Sequence, residues 1–195
     1  MSLVTIISCF YILESSKHSL ENYVFWMINF FKIKTPKIIY TNNYTYNRLF
    51  KKIVCEDIQF VIYEIEDFII TNKLTDTQWA TQLSSDPEKD IHNIDLYKIW
   101  NEKSELLRKA INHNKFNSSY YYWCDAGCFR DNSTIENYID WPNEKAVKKN
   151  DFILLNIEKF ETHDISLNMR GLPPTFIDKN RIGGGIFGGT KESCL

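Results

Sequence analysis

Short β-branched runs alternate with an amphipathic segment at the start of the chain, and this alternation constrains the fold most. Residues 3–10, 37–41 and 59–65 are predicted strands, whereas residues 16–34 carry apolar side chains at helical spacing. Strands that alternate with helices pair in parallel through right-handed crossovers. In parallel sheets a ligand lies beyond the carboxyl ends of the strands. The residues at those ends are 8–11, 41–43 and 64–68.

Later segments extend the same pattern. The sequence Asp86-Pro87-Glu88 is typical of a helix start and predicts the longest helix, over residues 86–112. Residues 120–124 (YYYWC) and 152–160 are predicted strands, and five of the seven glycines fall within the last 13 residues. The clustered glycines favour close approach to a ligand or to a neighbouring strand. Their spacing matches a dinucleotide-binding loop, but only seven residues follow Gly188, too few for the helix that such a loop requires.

The predicted fold class is α/β, with one domain over residues 1–195 that forms a three-layer α/β/α sandwich around a mostly parallel sheet. A net charge of −2 argues against nucleic-acid binding, and no apolar run is long enough for a transmembrane segment. The apolar N-terminus lacks the basic residues and cleavage site of a signal peptide. Five irregularly spaced cysteines fit a reducing compartment, so we expect a cytoplasmic protein.

A few polar residues stand out against this pattern. Lys103 lies on an apolar face of the predicted long helix, and His92, eleven residues earlier, shares that face. Asp125 follows the predicted strand 120–124, and Arg130 comes five residues later. One anionic and two cationic groups at strand ends suit a diphosphate ligand, with or without a divalent metal. The structural alternatives are a salt bridge of Lys103 on the core surface and a turn at Asp125.

Three segments resemble the HtrL/YibB-like family, which occurs in bacterial surface-polysaccharide loci and in large DNA viruses and is similar to GT-A-fold glycosyltransferases. The segments are Trp79…Asp86-Pro87-Glu88…Leu96-Tyr97-x-Ile99-Trp100-x-x-Lys103, Phe116-x-Ser118-x-Tyr120-x-x-Trp123-x-Asp125-x-Gly127-x-x-Arg130 and Gly184-Gly185-x-Phe187-Gly188-Gly189. The resemblance implies a GT-A nucleotide-sugar fold. It also implies transfer of a hexose from a nucleotide-sugar, with a UDP-sugar as the expected donor, to a glycan or protein acceptor.

The resemblance further implies residue roles. The end of the first strand would hold the base and ribose, and the late glycines would leave room for the donor sugar or the acceptor. Asp125 would stand where GT-A enzymes carry an Asp-x-Asp motif that binds ribose and metal, although Gly127 replaces the second Asp. The expected nucleotide-sugar-binding residues are Phe10, Tyr11, Thr41, His92, Lys103, Arg130, Gly184 and Gly185.

Because the second Asp is missing, the sequence leaves two possibilities for how the charge of the diphosphate is neutralised. Either Asp125 holds a divalent metal (Mn²⁺ or Mg²⁺) through waters and a later residue such as His163, or Lys103 and Arg130 neutralise the diphosphate themselves. The catalytic base is unassigned. The candidates for it are Glu66, Asp67 and Asp76.

Two other classes of function compete with glycosyl transfer. One is a non-catalytic nucleotide- or sugar-binding module, which the missing second Asp suggests, and the other is a scaffold that uses its aromatic surface. Family members generally continue past the glycine-rich strand, so either a minimal domain ends at Leu195 or a covering lid is missing. For a viral member of the family, the expected location is the host cytoplasm.

Overall fold

Six strands form one sheet in the part of the chain that the computed structural model describes, residues 3–147, 151–164, 166–167, 169–172 and 180–195. The strands are β1 (Val4–Cys9), β2 (Lys37–Thr41), β3 (Ile58–Ile62), β4 (Tyr120–Cys124), β5 (Phe152–Asn156) and β6 (Ile182–Thr190). The helices are α1 (Leu20–Lys32), α2 (Asn43–Thr45), α3 (Asp76–Ser84), α4 (Ile94–His113), α5 (Glu144–Val147) and α6 (Lys191–Cys194). A π-helical turn, Tyr46–Phe50, follows α2, and 3-10 turns cover Ile65–Asp67, Thr71–Lys73, Ile135–Tyr138 and Thr162–Asp164.

The sheet is mostly parallel, as the alternation of elements predicts. Its strand order is β3-β2-β1-β4-β6-β5. The pairs β3–β2, β2–β1 and β1–β4 are parallel, and β6 runs antiparallel to both of its neighbours. Among the described residues, no helix is both long and apolar enough to cross a membrane.

Helices cover both faces of this sheet. Ile6 packs with Met27 and Phe30 of α1, whereas the adjacent Ile7 packs with Leu106 and other apolar residues of α4. Successive side chains of a strand point to opposite faces, so the two helices lie on opposite sides of β1. This arrangement agrees with the predicted α/β/α layers.

Several element boundaries differ from the sequence prediction. The long helix begins at Ile94, with Asn93 as its N-cap, and not near Asp86. Instead, Asp86 accepts the backbone N–H of Glu88 at 2.8 Å and so closes a turn. The same local hydrogen bond that caps a helix can also form a turn, and sequence alone does not separate the two outcomes. The predicted strands 59–65 and 152–160 are also shorter, ending at Ile62 and Asn156.

The glycines of β6 permit a close approach between strands. Gly188 has a φ of 147°, and a Cβ there would overlap the carbonyl oxygen of Tyr121 in β4. A Cβ at Gly189 would overlap the carbonyl oxygen of Asp151 at the start of β5. The interpretation of the clustered glycines as sites of close backbone contact is therefore confirmed at these two positions.

Candidate functional site

A cavity of about 600 Å³ lies at the carboxyl ends of β1 and β4. The chain runs from β1 through β2 to β3 on one side and then crosses to β4 on the other, so the strand order reverses between β1 and β4. Open α/β sheets bind ligands at such a reversal. The main lining residues are Phe10, Tyr11, Leu13, Lys17, His18, Tyr23, His92, Leu96, Ile99, Trp100, Lys103, Asp125, Gly127, Cys128, Arg130, Gly183 and Gly185.

Lys103 and Asp125 form an ion pair in this cavity. The Nζ atom of Lys103 lies 2.7 Å from Oδ1 and 2.9 Å from Oδ2 of Asp125. It also donates a hydrogen bond to the carbonyl oxygen of Gly184 at 3.0 Å. The Lys103 side chain is 12% exposed and that of Asp125 is 39% exposed. The buried stem with its ammonium in a salt bridge is thus confirmed, and the cavity gives the pair access to a ligand.

The surroundings of Asp125 fix the direction of its carboxylate. Its backbone N–H donates to the carbonyl oxygen of Gly185 at 2.8 Å, which joins the end of β4 to β6. Trp123 lies two residues earlier and therefore on the same face of the strand, where its Nε1–H donates to Oδ1 of Asp125 at 2.7 Å. The Trp123 ring stacks on Phe187 with 6.2 Å between ring centres. The carboxylate is thus held by Trp123 of β4 and Lys103 of α4, and the Asp125 backbone is held by β6.

The donor set around Asp125 does not fit a divalent metal. Both carboxylate oxygens already contact the Lys103 ammonium, and hard cations prefer several oxygen ligands. The described residues include no group of three or more His, Cys, Asp or Glu side chains suited to a metal ion. The side chain of His163 lies outside the described part of the chain. A Cβ at Gly127 would lie 3.3 Å from the Trp26 ring, so the position of the second Asp is sterically tight.

Arg130 lines another part of the cavity wall. Its guanidinium carbon lies 4.5 Å from the ring centre of Trp26, and its Nε donates to the carbonyl oxygen of Gly127 at 3.1 Å. The ring of His18 packs edge-on against Trp26 at 4.9 Å. Within the described residues, the terminal nitrogens of Arg130 donate no hydrogen bond. A guanidinium with two free terminal groups can bind a phosphate in bidentate geometry.

His92 lines the cavity just before α4 and belongs to a polar cluster. Its Nδ1 lies 2.6 Å from Oδ2 of Asp86, which also accepts the hydroxyl of Tyr97. Hydrogen bonds from Tyr97, from His92 and from the backbone of Glu88 lower the pKa of Asp86 to about 2. Leu96, Ile99 and Lys103 of α4 line the cavity together with His92, but His92 precedes the helix and so does not share a helix face with Lys103 as predicted.

The expected residues at the first two strand ends separate into two groups. Phe10 and Tyr11 line the cavity, and the Tyr11 hydroxyl donates to the carbonyl oxygen of Tyr63 at 3.0 Å. Burial raises the pKa of Tyr11. Thr41 is fully buried and does not line the cavity, which corrects its assignment as a binding residue. Its hydroxyl donates to the carbonyl oxygen of Phe10 at 2.8 Å, because β2 is an interior strand beside the end of β1. Thr41 supports the end of β1.

The two expected glycines also differ. Gly185 lines the cavity, and a Cβ there would lie 3.5 Å from Sγ of Cys128 and 3.6 Å from Oδ2 of Asp125. Gly184 contributes its carbonyl oxygen to Lys103 and has open space where a Cβ would stand. Room for a ligand therefore depends on Gly185, whereas Gly184 acts through its backbone.

None of the three carboxylates suggested as a base lines the cavity. Glu66 and Asp67 are exposed in the 3-10 turn after β3, and Asp76 is exposed in the first turn of α3. Ile65 and Phe68 of this segment pack behind Tyr11 and Ile99 of the cavity wall, whereas the three carboxylates are exposed outside the cavity. Their assignment as base candidates is corrected on this geometry.

Several lining residues were not predicted from the sequence, among them Cys128 and Trp100. A hydrogen bond with the Cys124 thiol lowers the pKa of Cys128, whereas burial raises that of Cys9. Cys128 lies three residues after Asp125, so the turn that carries Asp125 was the available signal. Trp100 follows Ile99 on α4.

The chain matches no protein-family model and no curated protein.

Proposed function

We propose that the chain binds a nucleotide-sugar in the cavity between β1 and β4 and transfers the sugar to a glycan or protein acceptor, as a cytoplasmic GT-A-like glycosyltransferase of the HtrL/YibB-like type. The carrying observation is the position of the Lys103–Asp125 pair at the strand reversal, with Arg130 in the same cavity. Nucleotides bind at this point of doubly wound sheets. A volume of about 600 Å³ also suits a ligand of that size.

Each part of the donor has a matching surface in the cavity. The ammonium of Lys103 and the free guanidinium groups of Arg130 are the cations for the diphosphate. Phe10 and Tyr23, whose ring centres lie 5.7 Å apart, offer an aromatic wall to the base. Gly185 leaves the space beside Asp125 open for the sugar. Positive charge at the diphosphate stabilises the leaving group as the bond to the sugar breaks.

This proposal uses lysine and arginine in place of a divalent metal. Lys103 already occupies the position beside Asp125 where a cation would sit, and a metal would have to displace it. The carboxylate then acts by orienting the ammonium and by accepting hydrogen bonds from the ribose or the sugar. Of the two alternatives left open by the sequence, the donor set of the described residues favours direct neutralisation.

A non-catalytic nucleotide- or sugar-binding module is the second candidate. The observation that favours it is the absence of Glu66, Asp67 and Asp76 from the cavity lining. Both candidates require nucleotide binding, and only the first requires release of the nucleoside diphosphate from a donor. A scaffold protein requires neither.

Thermal unfolding with a panel of UDP, GDP, dTDP and their sugars tests nucleotide binding. A ligand at 100 times its Kd adds about 2.7 kcal/mol to the folded state, which raises the Tm by roughly 5–10 °C for a domain of this size. We expect Arg130→Gln to reduce this shift. Arg48→Gln is the matched control, because Arg48 is also exposed and lies 5.9 Å from a tyrosine ring. No shift with any nucleotide would overturn the proposal, and binding without release of nucleoside diphosphate would favour the second candidate.

A further inference from the structure

His92 has the geometry of an imidazole held in one tautomer. Its Nδ1 lies 2.6 Å from Oδ2 of Asp86, and the hydroxyl of Tyr97 donates to the same oxygen. Oδ1 of Asp86 accepts the backbone N–H of Glu88 at 2.8 Å. A carboxylate with these three donors stays ionised and acts only as an acceptor, so Nδ1 of His92 carries the hydrogen. The lone pair of the neutral imidazole is then on Nε2.

The ring plane of His92 is fixed as well. Tyr97 and Trp100 of α4 pack perpendicular to it, with ring centres 6.2 Å and 5.2 Å away. The side chain is 10% exposed, and the residue lines the cavity. The imidazole is therefore a largely buried group that forms part of the cavity wall.

The charged groups around His92 leave Nε2 available. Oε2 of Glu88 lies 3.6 Å from Nε2, beyond hydrogen-bond distance. The other oxygen of Glu88 contacts Nζ of Lys17, from the connection between β1 and α1, at 2.6 Å. The turn before α4 supplies Asp86 and Glu88, α4 itself supplies Tyr97, and the β1–α1 connection supplies Lys17. In the part of the chain that the structure describes, Nε2 has no hydrogen-bond partner.

We propose that His92 is the general base of the transfer and that Asp86 and Tyr97 are its positioning residues. This inference rests on the proposed function. Two other candidates in the cavity are already engaged, since Asp125 contacts Lys103 and the Tyr11 hydroxyl donates to a backbone carbonyl. His18 also lines the cavity, but no carboxylate is seen against its ring among the described contacts. A base held by a carboxylate within hydrogen-bond distance is the arrangement common to enzymes that activate a hydroxyl group.

The proposed step balances as a single displacement. The acceptor hydroxyl oxygen forms a bond to the anomeric carbon of the donor sugar, while the bond from that carbon to the terminal phosphate oxygen breaks. The electron pair of the broken bond leaves with the nucleoside diphosphate, next to Lys103 and Arg130. The hydroxyl proton passes to Nε2 of His92, and Asp86 stabilises the resulting imidazolium. With water as the acceptor, the products are the free sugar and the nucleoside diphosphate.

Release of UDP from UDP-glucose, with water as the acceptor, tests this assignment without knowledge of the natural acceptor. We expect His92→Gln to lower kcat by roughly 10²–10⁴-fold with little change in KM. Asp86→Asn removes the charge that stabilises the imidazolium. We therefore expect the acid limb of the pH profile of UDP release to move to lower pH in this variant. His113→Gln, at the exposed last turn of α4, is the control and leaves the rate unchanged.

A second measurement does not depend on turnover. Nitrogen-15 NMR of the wild-type protein resolves the tautomer of each histidine, and we expect His92 to carry its proton on Nδ1 with Nε2 free. Binding of UDP is measured in parallel, because it tests the proposed function separately from the base assignment. If UDP does not bind, the proposed function fails, and the base assignment fails with it.

If UDP binds, three results overturn the base assignment while nucleotide binding stands. The first is an absence of UDP release by the wild-type protein, and the second is a proton on Nε2 of His92. The third is an equal loss of stability in His92→Gln and Asp86→Asn without a change in the pH profile of UDP release. This result would mean that the two residues only stabilise the turn before α4. Restoration of UDP release in His92→Ala by added imidazole would support the assignment directly.

Discussion

Replacing Lys103 by methionine tests the central feature of the site. Methionine keeps most of the length and apolar contact of the lysine stem but removes the ammonium, which contacts both oxygens of Asp125 and the carbonyl oxygen of Gly184. We expect the folded protein to tolerate this change. The Asp125 side chain is 39% exposed, and solvent screening limits such a pair to about 1 kcal/mol or less. Trp123 still donates to the carboxylate.

The effect on ligand binding should be larger than the effect on stability. A hydrogen bond to a charged group contributes about 1.5–3 kcal/mol when one partner is removed, which corresponds to roughly a 10–150-fold increase in Kd. In Lys103→Met the carboxylate of Asp125 also remains without its cation, next to the diphosphate, and repels it. We therefore expect UDP binding to weaken by at least tenfold and UMP binding to weaken less, because UMP lacks the second phosphate.

Isothermal titration calorimetry with UDP at fixed ionic strength measures this change. Lys98→Met is the matched control, since Lys98 also lies on α4 and is paired with a carboxylate, Asp95, at 3.6 Å, but does not line the cavity. The reasoning would be refuted if Lys103→Met bound UDP within twofold of the wild type. An equal loss in Lys98→Met would also refute it, because the effect would then be one of overall charge.

Three further predictions concern the glycine strand, the cofactor and the cluster before α4. Gly188→Ala should lower the free energy of unfolding by at least about 2 kcal/mol and Gly184→Ala by no more than about 0.5 kcal/mol, as urea titration can measure, because only the first introduces a clash and a strained φ. The Kd of UDP should agree within about twofold between EDTA and Mn²⁺, and tighter binding only with metal would contradict direct neutralisation by lysine and arginine. Asp86→Asn should destabilise the protein at pH 6. Since folding lowers the pKa of Asp86 to about 2, its contribution is present above the unfolded value near 4 and is lost as the pH falls towards 2, so the variant and the wild type should converge in acid.

The sheet follows from local sequence more completely than the site does. The bounds of β2 and β4 agree with the predicted runs 37–41 and 120–124, because these interior strands are short, continuous and apolar. The side chain of Ser19 caps α1 by accepting the backbone N–H of Asn22, and serine is a preferred residue at this position. Burial on two faces leaves few ways to place such segments.

The parts of the site that could not be predicted depend on contacts between residues that are far apart in the sequence. The bond of Lys103 to Asp125 spans 22 residues and depends on how α4 crosses the sheet. The contact of Thr41 with Phe10 depends on β2 lying beside β1. Even the short link between Asp86 and His92 was hidden, because the same residues satisfy the rules for a helix start.

The position of β6 has a consequence for how the chain acquires its structure during synthesis. β6 lies between β4 and β5, so the hydrogen-bonding edge of β4, with its sequence YYYWC, stays open until residues 182–190 have left the ribosome. A strand rich in glycine has little tendency to order by itself and needs its neighbours as a template. The nascent protein therefore carries an uncovered aromatic edge from the synthesis of β4 until that of β6. Such an edge is a target for chaperones and a starting point for aggregation.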